Sequence, residues 1–149
     1  MHNIDAHYDI QAPLEQVWPF LENFADIQAW WPKGQAVDIE RVEMEGEGIG
    51  QIRHIYNVGF PDAISERLDF LDTASHTLKL SIVGKPPAGL LEYRATGQLT
   101  ALGPNACRMT YHAELVAPEG QAETAKGFLL GAYQLMFKGL EAAAQRRRA

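Results

Sequence analysis

The stretch QAETAKGFLLGAYQLMFKGLEAAAQ, residues 121–145, decides the architecture into which the rest of the sequence must fit. Its apolar residues recur at helical spacing, at positions 125, 128, 129, 132, 135, 136, 139, 140 and 143. This periodicity predicts one long amphipathic helix. Gly127, Gly131 and Gly139 lie inside it, where each costs about 1 kcal/mol relative to alanine. We therefore expect these glycines either to permit close packing or to leave space beside the helix.

The residues that precede this helix are predicted to form mainly strands. Ile4–Ile10 alternates apolar and polar residues, as a half-buried strand does. Pro13 then opens a short helix that Pro19 should bend or shorten, and a second short helix is expected from Phe24 to Trp30. Six further strands, separated by Gly- and Pro-containing turns, are predicted at 37–44, 48–57, 63–71, 76–83, 89–101 and 106–117. The result is an α+β fold in which a seven-stranded antiparallel sheet packs one face on the long helix.

Length and composition exclude several classes of protein. The 149 residues suffice for one domain spanning 1–149, and the net charge of −6 argues against a nucleic-acid-binding surface. One cysteine excludes an intramolecular disulfide framework, and no apolar run is long enough to span a membrane. The N-terminal residues do not resemble a signal peptide. We therefore expect a soluble cytoplasmic protein without integral membrane association.

The apolar phase of each strand predicts which side chains face the helix. The inward sets are Leu78, Leu80 and Ile82; Leu91, Tyr93, Ala95 and Leu99; Met109, Tyr111, Ala113 and Leu115; and Ile64, Leu68 and Phe70. Glu66 shares the phase of the last set. A carboxylate on an apolar face needs a cation, water or a raised pKa.

Arg53 is the candidate cation, but the pattern alone leaves its direction open. Arg53 shares a phase with Ile55 and Asn57, whereas the other phase holds Ile52, His54 and Tyr56. If Arg53 points inward, an acid, a base and two tyrosines lie among apolar walls, as in a small-molecule cavity. The alternative is a structural ion pair at the rim of the sheet.

The sequence gives little indication of a metal or a cofactor. The histidines at 2, 7, 54, 76 and 112 have no short ligand spacing, and His7, His54 and His112 fall on the outward phase. Cys107 falls on the inward phase and is expected in the core. Neither a metal site nor a cofactor is therefore predicted.

Two motifs resemble a known superfamily. Residues 12–18 (APLEQVW), followed by Trp30-Trp31-Pro32, resemble the opening of the START/Bet v 1 (SRPBCC) superfamily, and more narrowly its bacterial polyketide cyclase/dehydrase-like branch. The resemblance implies a helix-grip fold: a curved seven-stranded antiparallel sheet around a long C-terminal helix, with two short helices after the first strand. It also implies a cavity that binds hydrophobic ligands.

The sequence is also similar to the plant abscisic-acid receptors, on Gly59-Phe60-Pro61 with residues 65–72 (SERLDFLD) and on Pro118-Glu119-Gly120. Residues that match Lys33, Glu66 and Tyr93 line the polar part of the receptors' pocket, and Arg53 matches an inward arginine. The chain departs from the receptors at the latch, which reads Pro86–Leu90 here, and in a gate one residue shorter. A pocket glutamate becomes Tyr111 and a pocket asparagine becomes Met136. These departures imply a related cavity with a less polar ligand.

The leading hypothesis is a module that binds, transports or senses a small hydrophobic molecule with a polar group. The predicted ligand-binding residues are Lys33, Arg53, Ile55, Asn57, Phe60, Glu66, Leu80, Ile82, Tyr93, Tyr111, Phe128, Ala132 and Met136. Access would be controlled by the gate at Gly59–Ala63 and the hairpin at Gly84–Leu90.

Two alternatives use other readings of the same sequence. In a polyketide cyclase or aromatase-like enzyme, Glu66 would be the general acid or base of the cavity. In a protein-interaction adaptor, Leu130, Tyr133 and Phe137 would lie off the core stripe of the last helix and form a surface for a partner or a homodimer.

Overall fold

The structure, a computed structural model, describes residues 1–148, with side chains described as far as Arg146. Two helices, one 3-10 helix and seven strands follow one another in the described residues. In chain order they are β1 (His2–Ile10), α1 (Leu14–Glu22), the 3-10 helix Phe24–Ala29, β2 (Ile39–Glu45), β3 (Ile52–Asn57), β4 (Ile64–Asp72), β5 (Thr77–Val83), β6 (Glu92–Gly103), β7 (Ala106–Val116) and α2 (Ala122–Arg148).

All seven strands form one antiparallel sheet in the order β1-β7-β6-β5-β4-β3-β2. Strands β2 to β7 pair in chain order, and β1 joins the free edge of β7. The long helix α2 buries its apolar side chains against the inner face of this sheet. This architecture confirms the predicted helix-grip fold, including the two short helices after the first strand.

The sequence accounts for the way in which α1 and α2 are held. Pro19 lies inside α1, which ends three residues later, in agreement with the expected effect of an internal proline. Glu141 fixes α2 to the end of β1: it accepts hydrogen bonds from the Tyr8 hydroxyl at 2.9 Å and from the Gln11 backbone N–H at 2.8 Å. Within residues 1–148, neither helix combines the length and apolarity needed to cross a membrane.

The predicted inward phase is wrong at two positions. The pairing of β4 with β5 shifts between Leu68 and Phe70, so that Phe70 is exposed and Leu71 packs on the core instead. Leu91 is 60% exposed while Leu90 is buried, because the turn that bonds Leu90 N–H to Pro87 O changes the phase before β6 begins.

The expected interaction surface on α2 is also wrong. Tyr133 and Phe137 are buried, and of the three predicted residues Leu130 alone is exposed. Phe137 stacks on Tyr8 of β1 with ring centroids 5.6 Å apart, and Tyr133 packs on Tyr111 of β7 at 4.8 Å. The buried stripe is therefore rotated about the helix axis relative to the predicted one, since Phe128 of the predicted stripe is 45% exposed.

Of the three glycines in α2, one permits close packing and two leave space beside the helix. A Cβ at Gly139 would overlap the carbonyl oxygen of Trp30 and lie 2.8 Å from Cδ of Pro32. Gly139 therefore permits close packing between α2 and the chain that follows the 3-10 helix. Gly127 and Gly131 have open space where a side chain would stand.

Candidate functional site

A cavity of about 610 Å³ lies between the sheet and α2. Its walls are mainly apolar and come from the 3-10 helix, from the six strands β2 to β7, from α2 and from the loops between them. The apolar and aromatic residues of the walls include Ile27, Trp30, Trp31, Ile39, Ile55, Ile64, Ile82, Phe128, Leu129, Ala132 and Met136. This volume is within the range of cavities that hold drug-sized molecules.

Arg53 and Glu66 form an ion pair in the cavity wall. They are directly opposite each other on the antiparallel strands β3 and β4. The Nε and Nη2 atoms of Arg53 both lie 2.7 Å from Oε1 of Glu66. The side chains are only 8% and 17% exposed, so the pair is shielded from bulk water. The structure thus places Arg53 on the inward phase that the pattern had left open.

Arg53 is further fixed by Phe24 of the 3-10 helix. Its Nη1 atom donates a hydrogen bond of 2.9 Å to the Phe24 carbonyl oxygen, and its guanidinium carbon lies 3.9 Å from the centroid of the Phe24 ring. The arginine therefore links β3 to the 3-10 helix. Since both of its contacts with Glu66 use Oε1, the arginine leaves Oε2 of that carboxylate unused.

Three tyrosines from three elements form a second polar group in the cavity. The hydroxyls of Tyr93 on β6 and Tyr133 on α2 are hydrogen-bonded at 2.5 Å, and Tyr111 on β7 packs against Tyr133. Burial is the main cause that raises the pKa of all three hydroxyls, with a smaller contribution from the negative charge of Glu66. The pKa of Tyr133 rises to about 12. These phenols therefore stay protonated at neutral pH.

Two residues of the cavity lining each have a buried side-chain polar atom that lacks a hydrogen-bond partner. Among the described residues, nothing accepts a hydrogen bond from the indole Nε1–H of Trp30 or donates one to Oδ1 of Asn57. Trp30 is 4% exposed and Asn57 is 9% exposed. Polar atoms buried to this extent are nearly always hydrogen-bonded in folded proteins.

Two loops border the mouth of the cavity. One contains Phe60–Ala63, between β3 and β4, and the other contains Lys85–Gly89, between β5 and β6. Phe60 is 63% exposed. Ala88 has a φ of +56°, a left-handed conformation that a residue with a Cβ seldom adopts. These are the predicted gate and hairpin, and both contribute lining residues.

The structure brings together most of the predicted site residues. The lining includes Arg53, Ile55, Asn57, Phe60, Glu66, Ile82, Tyr93, Tyr111, Phe128, Ala132 and Met136. It excludes two predicted residues. Lys33 is exposed in the loop before β2, and the side chain of Leu80 is buried where β4, β5 and β6 pair Leu80 with Leu68 and Ala95. Leu80 therefore belongs to the solid core below the cavity.

Sequence reasoning missed three important lining residues. Tyr133 was predicted to lie off the core stripe of α2, and neither Trp30 nor Trp31 is among the predicted ligand-binding residues. Both tryptophans line the cavity, and Trp31 also donates a hydrogen bond of 2.8 Å to the Val37 carbonyl. The sequence feature that could have indicated this part of the lining is the pair of adjacent aromatic residues before Pro32, which lies outside every predicted strand.

A metal has no evident site in the described part of the chain, since no group of three or more His, Cys, Asp or Glu side chains is placed to hold one. The outward histidines pair with acids instead: His112 with Asp5 at 2.6 Å and His54 with Glu45 at 3.3 Å. Cys107 is fully buried, and burial raises the pKa of its thiol to about 11.

Comparisons with known proteins give one family and a set of similar folds. The family model described as "Polyketide cyclase / dehydrase and lipid transport" matches residues 1–145. XoxI from Bacillus cereus superposes with a TM-score of 0.83 at 23% identity, over 100% of this chain and 99% of its own.

Two enzymes of known structure are also similar. The Zhui aromatase/cyclase from Streptomyces sp. R1128 superposes with a TM-score of 0.81 at 16% identity, over 99% of this chain and 96% of its own. Norcoclaurine synthase from Thalictrum flavum, solved as a point mutant with a transition-state analogue, has a TM-score of 0.80 at 16% identity, over the same two shares. At these identities the likeness extends to the fold alone.

Proposed function

The chain belongs to the polyketide cyclase/dehydrase and lipid transport family, and from that premise we propose that it binds a small, largely apolar molecule with a polar group in the cavity between the sheet and α2. The membership confirms the superfamily and the branch that residues 12–18 and Trp30-Trp31-Pro32 predict. The proposal concerns the ligand and the residues that contact it.

The observation that carries the proposal is the contrast between the walls and the polar groups of the cavity. The lining of an apolar space of about 610 Å³ contains one ion pair and three tyrosines. Apolar walls gain free energy by burying apolar ligand surface, at about 25 cal/mol per Å². A few fixed polar groups then orient the ligand.

A substitution that fills the cavity tests this proposal. Ala132 of α2 lines the cavity, so Ala132→Phe places a ring in the ligand's space. Ala142, exposed on the same helix, gives the matched control Ala142→Phe. We expect the neutral dye Nile red to bind the wild type and Ala142→Phe with equal affinity, and Ala132→Phe at least about tenfold more weakly. Equal binding by all three proteins would contradict the proposal.

A second candidate function is a cyclase-like reaction in the same cavity. The specific observation is the position of Glu66: one carboxylate oxygen is unused by Arg53, and the tyrosine hydroxyls are close enough for its charge to raise their pKa values. A carboxylate beside neutral phenols can take a proton from a bound molecule while the phenols donate hydrogen bonds to its oxygens. Incubation with linear poly-β-ketone mimics would give cyclised product with the wild type and none with Glu66→Gln. Recovery of only intact mimic from both proteins would contradict this candidate.

A further inference from the structure

Glu66 has one carboxylate oxygen that no described protein group uses. Both contacts with Arg53 go to Oε1, and among the described side chains and backbone nothing donates a hydrogen bond to Oε2. An ionised carboxylate accepts hydrogen bonds through both oxygens and donates none. Oε2 is therefore an acceptor that carries negative charge and has no partner within the protein.

This oxygen is open to the cavity. Among the described residues, the fully buried side-chain polar atoms without a partner belong to Gln16, Trp30 and Asn57. Since Oε2 of Glu66 has no partner and is not one of these buried atoms, it keeps accessible surface. Glu66 lines the cavity, and its side chain is 17% exposed. A molecule inside the cavity can therefore contact Oε2 directly.

The lining has no comparable cation to offer a ligand. Among the described residues, its two cations are Arg53 and Lys85. All three guanidinium nitrogens of Arg53 contact Glu66 or the Phe24 carbonyl, so a ligand carboxylate would have to replace one of these partners. Lys85 belongs to a loop at the mouth, and Lys33 lies outside the lining. The charged group that is free to bind a ligand within the sheet is thus an acceptor.

A ligand that covers Oε2 also removes it from water. The hydrogen bonds that water supplies to a carboxylate must then be replaced, because an unpaired charged group costs more than an unpaired neutral one. An O–H or N–H group makes this replacement. A ketone, an ether or a carboxylate only accepts, and would leave Oε2 unpaired beside a second electronegative oxygen.

We propose that Oε2 of Glu66 selects ligands whose polar group donates a hydrogen bond, such as an alcohol, a phenol or an amine, over ligands whose polar group only accepts. The inference rests on the proposed function, because it specifies the ligand class of the same cavity. A neutral hydroxyl and a protonated amine share this donor chemistry and differ in charge.

Four naphthalene probes that differ in one substituent test the selection. Calorimetry at pH 7 would measure the binding of 2-naphthol, which donates, and of 2-methoxynaphthalene, which only accepts. The other two probes are the cation of 2-(aminomethyl)naphthalene and the anion 2-naphthoate. Because a hydrogen bond to a charged group is among the stronger ones, we expect 2-naphthol to bind at least about tenfold more tightly than 2-methoxynaphthalene. 2-Naphthoate should bind more weakly than 2-naphthol, and the amine cation shows whether a charged donor is preferred to a neutral one.

Glu66→Gln should remove the selection and keep the cavity. The glutamine oxygen can accept from Arg53, and its NH₂ group then replaces Oε2, a donor in the place of an acceptor. We expect the preference for 2-naphthol over 2-methoxynaphthalene to fall to about twofold or less, with Nile red still bound. Glu114→Gln, in the exposed pair with Arg94 and outside the cavity lining, is the matched control and should keep the wild-type preference. The wild-type panel tests the inference by itself if Glu66→Gln does not fold.

The outcomes separate this inference from the proposed function. If 2-methoxynaphthalene or 2-naphthoate binds as tightly as 2-naphthol, the donor inference is wrong and the binding cavity stands. If neither the four probes nor Nile red bind, both are wrong. A preference for 2-naphthol that survives Glu66→Gln would overturn the assignment to Oε2 of Glu66.

Discussion

Each guanidinium nitrogen of Arg53 has a hydrogen-bond or ion-pair partner, although the side chain is only 8% exposed. Glu66 accepts from Nε and Nη2, and the Phe24 carbonyl accepts from Nη1. Removing one member of a buried pair leaves the other charge without compensation, and this is more costly than replacing both members by apolar residues. The pair is therefore most sensitive to single substitutions.

Glu66→Gln should lower the free energy of unfolding by about 3 kcal/mol while the fold persists, because Arg53 loses its counter-charge. Urea denaturation at pH 7 measures this change. Glu114→Gln, in the exposed pair with Arg94, is the matched control and should have a much smaller effect. The double variant Arg53→Met/Glu66→Leu should regain most of the loss, and a double variant less stable than Glu66→Gln would contradict this account.

The buried tyrosines make stability depend on pH in the alkaline range. The pKa values of the three cavity tyrosines are raised above the ordinary value of 10, that of Tyr133 to about 12. The unfolded chain therefore loses these protons first. Their contribution to stability is complete below pH 10 and is lost as the pH rises toward 12 and beyond.

Tyr133→Phe should make this loss less steep, by about 1.4 kcal/mol per pH unit between pH 10 and 12. The measurement is urea denaturation of the wild type and the variant at a series of pH values from 8 to the alkaline limit of folding. The slopes, rather than the absolute stabilities, are compared, because the variant also removes the hydrogen bond to Tyr93. Parallel slopes would show that Tyr133 does not titrate as described.

Single-residue patterns predicted the presence of Glu66 in the wall but not the direction of Arg53. Both phases of β3 carry apolar residues, so alternation does not choose between them. The register of β3 against β4 determines the direction of Arg53, because it places Arg53 opposite Glu66. The unpartnered atoms of Trp30 and Asn57 were beyond sequence reasoning, because they depend on which groups fail to meet in three dimensions.

At the scale of elements, the contact of α2 with the chain after the 3-10 helix depends on Gly139. The backbone carbonyl of Trp30 and the ring of Pro32 occupy the space that a side chain would need there. The same segment carries Trp30 and Trp31 into the cavity wall. Packing at Gly139 thus positions one wall of the cavity.

Gly139→Ala and Gly131→Ala should have opposite effects on stability. Alanine gains about 1 kcal/mol over glycine in an exposed helix interior, which is the expected stabilisation at Gly131. At Gly139 the overlap with Trp30 and Pro32 should outweigh that gain, lower stability and weaken Nile red binding. Thermal unfolding and dye titration measure both effects. Stabilisation by both substitutions would contradict the close packing described at Gly139.

The strands and helices were predictable from the period of their apolar residues. The direction of individual side chains was predicted wrongly where a bulge or the packing of α2 changes the phase. Seven strands and the long helix follow from alternation, turn residues and the helical stripe. Phe70 was misplaced because a bulge in β4 reverses the phase, and bulges have no fixed sequence signature. Tyr133 and Phe137 were misplaced because the rotation of α2 about its axis against the sheet is set by tertiary packing, which buries these two residues and leaves Phe128 exposed.

At the scale of the whole molecule, the sheet and α2 separate at one end and pack solidly at the other. Leu80 and Phe137 lie in the solid part, and Ile82 and Met136 line the open part. The sequence predicted the fold and most of the lining through the phase of the strands. The sequence could not locate the boundary between the solid core and the cavity, because an inward apolar residue can either pack in the core or line the cavity.

The central claim is that a ligand enters the space between the sheet and α2, and an NMR experiment with 2-naphthol tests it most directly. Intermolecular NOEs would be measured between the ligand and methyl-labelled protein. We predict NOEs to the methyl groups of Ile55, Ile82 and Met136 in the cavity. NOEs restricted to exposed methyl groups outside the cavity, such as those of Ile49 and Leu91, would contradict the claim.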